Sequence, residues 1–180
     1  IVDLYGIGNS NRSHKSVPFV HAVELEGPKG EGVQTKGVFD DGAMVNAIDL
    51  DVFSRVKGRL SPLQPSELGL RMADGRVVPS EGVWSGFISV NGAWGHGDFE
   101  VFRSGNAWAL LFGKPLLVEF KAIHDYGCDE IVFPTGTEPV RIRNQFGNNL
   151  HKEPLVGLTT NIEQREELKG DSSASPSRQV

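Results

Sequence analysis

The stretch GVFDDGAMVNAI, Gly37 to Ile48, sets two adjacent carboxylates, Asp40 and Asp41, between an apolar pair and a Gly42-Ala43 step. Asp-Asp-Gly is by itself an ordinary turn composition, because Asp and Gly both favour tight turns. The flanks argue for more: Val38 and Phe39 read as the end of a buried strand, and Ala43, Val45, Ala47 and Ile48 leave a surface loop little to show. The turn reads as inserted into the core. Carboxylates held there could move protons or bind a metal. A metal site would have to recruit Asp49 and Asp51, but the apolar spacing of Ile48, Val52, Phe53 and Val56 predicts a helix over 46–57, on which those two aspartates point apart. No histidine falls at a helical ligand spacing, so Asp49 and Asp51 read as solvated helix positions and no metal or other cofactor is expected. No Gly-x-Ser-x-Gly elbow occurs, and GIGNS, Gly6 to Ser10, precedes rather than follows a strand-helix unit.

The elements that must position the aspartates are short. Apolar or alternating runs separated by Gly, Pro, Asn and Asp predict strands at 17–25, 33–39, 69–73, 77–90, 97–103, 108–112, 130–133 and 140–143. A second short helix is expected in KPLLVEF, where Pro115 suits a first turn. The pair of extended runs around Ala73-Asp74-Gly75 predicts a projecting hairpin, since Asp-Gly supplies the positive φ of a tight turn. The apolar run Trp108 to Leu111 leads into Phe112-Gly113, where the glycine permits close backbone approach.

The 180 residues allow one domain with tails. Residues 1–16 and 144–180 are polar and weakly patterned, the latter reading as linker and disordered tail, and leave 17–143 as the domain. A net charge of −5 without a basic cluster argues against direct nucleic-acid binding. No apolar run is long enough to span a bilayer. Cys128, the only cysteine, excludes an internal disulfide, reads as a small buried residue and points to an intracellular, cytoplasmic setting. A chain that starts at Ile1 without a methionine reads as a piece of a longer one. The five histidines are scattered and read as surface residues.

In this order, the features resemble the retropepsin-like aspartic proteases of retroviruses and long-terminal-repeat retrotransposons, including domesticated fungal copies. Members carry Asp-Ser/Thr-Gly-Ala after an inner strand, then a flap hairpin, then an apolar strand ending in Gly before a short helix; here these are Asp40-Asp41-Gly42-Ala43, the hairpin at Asp74-Gly75, and Leu111-Phe112-Gly113 before Pro115-Leu116-Leu117. AIHDY, Ala122 to Tyr126, is similar to the segment that follows the helix in retrotransposon members.

The resemblance implies a mainly β, closed barrel of the acid protease fold with one or two short helices and a flap formed by Met72, Ala73, Asp74, Gly75 and Arg76. It implies a homodimer, because one motif supplies one catalytic Asp40, and a peptide or polyprotein substrate bound in extended form. Trp84, Trp94 and Trp108 then read as buried packing or flap support. Asp41 departs from the pattern: a hydroxyl donates and accepts, whereas an ionised carboxylate only accepts. Four carboxylates gathered on dimer closure oppose one another until some are protonated, so dimerisation is expected to improve in acid. Retention of the fold without chemistry, as a dimerisation or peptide-binding module, is the alternative.

Overall fold

The computed structural model describes residues 17–72, 75–136 and 138–146. In chain order these form β1 (Phe19–Glu26), β2 (Gly32–Asp40), β3 (Asn46–Asp49), α1 (Leu50–Val56), β4 (Gly69–Arg71), β5 (Val77–Pro79), β6 (Gly82–Val90), β7 (Ala93–Phe102), β8 (Leu110–Gly113), α2 (Lys114–Glu119), β9 (Ile123–Asp125), β10 (Glu130–Phe133) and β11 (Val140–Arg143). The predicted segment 1–16, residues 147–180 of the predicted tail 144–180, and Ala73 and Asp74 of the hairpin lie outside the described residues.

Alternation along β2 buries Val33, Thr35 and Phe39 on one face, and β1 pairs with it antiparallel from Phe19↔Phe39 to Glu26↔Gly32. The barrel closes in the order β1-β2-β8-β3-β7-β6, so the fold is the mainly β closed barrel expected. A consequence of that order is that β8 runs between β2 and β3, parallel to the first and antiparallel to the second. The chain on either side of Asp40-Asp41 is thereby held by one shared neighbour. Two satellite sheets complete the fold: β11-β10-β9, and the β4-β5 hairpin. Ile131, Phe133 and Ile142 of the first share one core with Trp84, Phe99, Phe112 and Leu116. No helix among the described residues is long and apolar enough to cross a membrane.

Several elements differ from the sequence reading. Residues 46–49 are a strand, with the helix confined to 50–56, because all four are buried between β7 and β8, and a short buried apolar run has no periodicity to tell strand from helix. The run at 77–90 breaks after Pro79 and resumes at Gly82. The strand expected from 97 begins at Ala93, since Asn91 and Gly92, with φ of 50° and 90°, form the tight turn of a long β6-β7 hairpin. β9, within the AIHDY segment, was not expected as a strand; it pairs with β10. Cys128 is exposed rather than buried, since it lies in the turn that joins β9 to β10.

Asp49 likewise departs from its predicted solvated role. It is 2% exposed and is the N-cap of α1, accepting hydrogen bonds from Asp51 N and Val52 N and from Ser104 N and Oγ. Burial pushes its carboxyl up, but these hydrogen bonds outweigh burial and hold it below the ordinary aspartate value. A lowered folded-state value contributes stability that is present above the unfolded-state pKa, about 3.9, and is lost as pH falls through the folded one. Asp49→Ala is therefore expected to cost about 2 kcal/mol at pH 7, with the gap to wild type narrowing below about pH 4. Urea unfolding at pH 7 and pH 3 checks this; an equal gap at both would remove the carboxylate from the account. Asp51 is exposed, 3.3 Å from Arg103 Nη1.

Candidate active site

Asp40 is the last residue of β2, level with Gly113 of β8. One residue earlier, Phe39 stacks on Phe112 with ring centroids 4.4 Å apart. Phe112 meets Phe120 edge-on at 5.2 Å, and Phe120 meets Phe133 at 5.2 Å. These aromatic contacts anchor the strand end that presents Asp40 to the core behind it.

The turn from Asp41 to Val45 lies on Gly113 so closely that a Cβ there would stand 2.1 Å from the Val45 carbonyl oxygen. Lys114 N donates to Ala43 O at 2.9 Å, tying the turn to the start of α2. A residue the sequence reading missed completes the brace. Asn46, 3% exposed, accepts from Gly113 N and Leu116 N through Oδ1 and donates through Nδ2 to Asp98 O. Its only sequence signal was an amide within an apolar run, where a buried polar group must find partners.

Asp40 is half-buried, and its Oδ1 accepts from Gly42 N at 2.9 Å. Asp41 is exposed and accepts from the Tyr126 hydroxyl at 3.4 Å. Partial desolvation, and then the Asp41 carboxylate beside it, push the Tyr126 phenol above its ordinary value. Tyr126 lies against His124, centroids 4.1 Å apart, and His124 in turn meets Phe19 edge-on. His124 Nε2 is 3.8 Å from Asp129 Oδ1, beyond hydrogen-bond reach. His124 is thus a half-buried wall residue rather than the surface residue expected. Asp40, Asp41, Lys114, Lys121, His124 and Tyr126 line one cavity of about 600 Å³, floored by Phe19, Phe39 and Ile131. Both aspartates reach this space because Asp41 already lies in the turn, where strand alternation no longer applies.

The predicted hairpin is present. β4 and β5 pair from Gly69↔Pro79 to Arg71↔Val77, Met72 N donates to Arg76 O, and Gly75, at φ 85°, turns the chain. Leu70, Met72 and Val78 pack with Ala47, Phe102, Trp108 and Leu111 in a second apolar cluster, so the hairpin roofs the β3-β8 segment beside the aspartate turn. Trp108 supports the hairpin and Trp84 is fully buried, whereas Trp94 is 51% exposed on the β6-β7 hairpin.

No family model matches the chain, and no curated protein matches it by sequence. Among solved structures, the crystal structure of the retroviral protease-like domain of Ddi1 from Leishmania major matches with a TM-score of 0.56 and 14% identity, over 75% of this chain and 99% of that domain. Identity that low carries fold and nothing finer. The chain has the retropepsin-like fold, a closed β-barrel shared with that retroviral protease-like domain.

Proposed function

We propose that the protein is an aspartic endopeptidase of retropepsin type that works as a homodimer. The observation that carries this reading is the placement of Asp40: it ends an inner strand level with Gly113, on a turn clamped by Asn46, with its carboxyl at the rim of an open cavity. Each chain contributes one such carboxylate. Two of them meeting across a two-fold axis share one proton, so the ionised one draws a proton from water while its neighbour protonates the scissile carbonyl, as aspartic proteases do. In this reading the β4-β5 hairpin, with Met72, Gly75 and Arg76 near its tip, is the flap that covers an extended peptide and excludes water; its pairing from Gly69↔Pro79 to Arg71↔Val77 supports that role.

Gly42 and Ala43 hold the turn through their N–H groups, which donate to Asp40 Oδ1 and to Asp40 O. Asp41 stands where the family carries a hydroxyl; ionised, it only accepts, and it accepts from the Tyr126 hydroxyl of the same chain at 3.4 Å. The origin we favour is a retrotransposon-type polyprotein, with that polyprotein as substrate and an intracellular site of action.

Asp41 also supports a second reading, a dimerisation or peptide-binding module on the same fold that has lost turnover. Cleavage of a mixed peptide library from pH 4 to 7, beside sedimentation at each pH, separates the two. Acid-favoured cleavage by a dimer supports the endopeptidase. A dimer that cleaves nothing supports the module, and dimerisation that is equal or tighter at neutral pH removes the proposed role of carboxylate repulsion.

A further inference from the structure

Glu100 of β7 is nearly buried, at 8% exposure, and its Oε2 is fully enclosed with no hydrogen-bond partner. Its neighbours in the chain, Phe99 and Val101, face the barrel core, so Glu100 faces the other way. The register fixes what it stands beside: Ala47 of β3 on one side and Val83 of β6 on the other. Ala47 belongs to the apolar cluster roofed by Leu70, Met72 and Val78 of the hairpin. Glu100 therefore lies on the same barrel face as Ala47 and Phe102, the face against which the hairpin packs.

A buried carboxylate oxygen without a partner is costly, and an apolar side chain of similar volume would fill the same place at lower free energy. A carboxylate can only accept hydrogen bonds, so the partner that relieves it must be a donor, and a cation gives the strongest such bond. Ala47 is also level with Leu111, two residues before the Gly113 that stands beside Asp40. Three strand spacings across and two residues along place Glu100 about 15 Å from Asp40, within reach of a long side chain projecting from a peptide residue two or three positions from the scissile bond. We propose that Glu100 is a specificity-determining residue that receives a lysine or arginine side chain of the bound peptide beneath the hairpin. The inference rests on the peptide-binding reading above, though not on turnover.

The test compares wild type, Glu100→Gln and Glu100→Leu on paired peptides that carry lysine, arginine or norleucine at each position within three of the cleaved bond, with thermal melts to confirm folding. The expected result is a preference for a basic residue at one position, with the lysine-to-norleucine ratio of kcat/KM falling about tenfold or more in both variants. Should Glu100→Leu fail to fold, Glu100→Gln, which keeps the shape, decides alone. Cleavage with no basic preference, or a preference that survives both substitutions, overturns the inference and leaves the endopeptidase standing. If wild type cleaves nothing, fluorescence anisotropy of the same peptides on the Asp40→Asn protein decides: basic-selective binding lost on adding Glu100→Gln upholds the subsite while the endopeptidase reading falls, and unselective or absent binding overturns the subsite.

Discussion

Asp40→Asn is expected to abolish peptide cleavage while leaving the fold and the dimer intact. The amide has the shape of the carboxylate and keeps an oxygen that can accept from Gly42 N, so the turn is retained. It cannot take a proton from water, and in a homodimer one substitution removes both members of the pair. General acid-base catalysis alone accounts for about 10²–10⁴-fold, and loss of the shared-proton pair should reach at least the upper end. Initial rates on a peptide selected from the library, measured at the pH where wild type cleaves fastest, with sedimentation and circular dichroism on the same samples, check it. A variant within tenfold of wild type would assign the chemistry elsewhere, and Asp41 would be the next residue to change.

The second large effect is on stability. Gly113→Val should unfold the protein or destabilise it by about 3 kcal/mol or more, because the added carbons meet backbone rather than a side chain that can rotate away. A Cβ at this position would be 2.1 Å from Val45 O, 2.8 Å from Val45 C and 3.0 Å from Ala43 O. Relief would require the 43–45 turn to lift, breaking the Lys114 N to Ala43 O bond and pulling Asn46 from Gly113 N. Any protein that did fold would carry a displaced Asp40 turn. Gly58→Ala is the control: nothing lies within 4 Å of its Cβ, and the substitution should leave stability unchanged or raise it slightly by restricting the unfolded chain. Urea midpoints for the three proteins measure the contrast. Equal midpoints for Gly113→Val and wild type would mean that the turn does not rest on this glycine.

The sequence by itself was sufficient where a signal is local. Alternation and turn residues located β1, β2, β10 and β11 within a residue or two, and Asp-Gly marked the hairpin whose ends are described at Met72 and Gly75. The need for a glycine at 113 was legible from its place after an apolar strand, though not what presses on it. The aspartate turn could be singled out because its flanks were too apolar for a surface loop.

What required the tertiary structure is what depends on residues far apart in the chain. Asn46–Asp49 is a strand because β7 and β8 supply its hydrogen bonds, partners that no local period can reveal. The same distant contacts turn Asp49 from a solvated position into a buried cap bonded to Ser104, and Asn46 from an isolated amide into the clamp on Gly113. Tyr126 meets Asp41, and Glu100 comes to stand beside Ala47, on which the hairpin packs, only once the barrel has closed. Patterns of period two report which face a residue takes, but the partner on that face is set by strand order, and strand order is decided by the packing of the whole core.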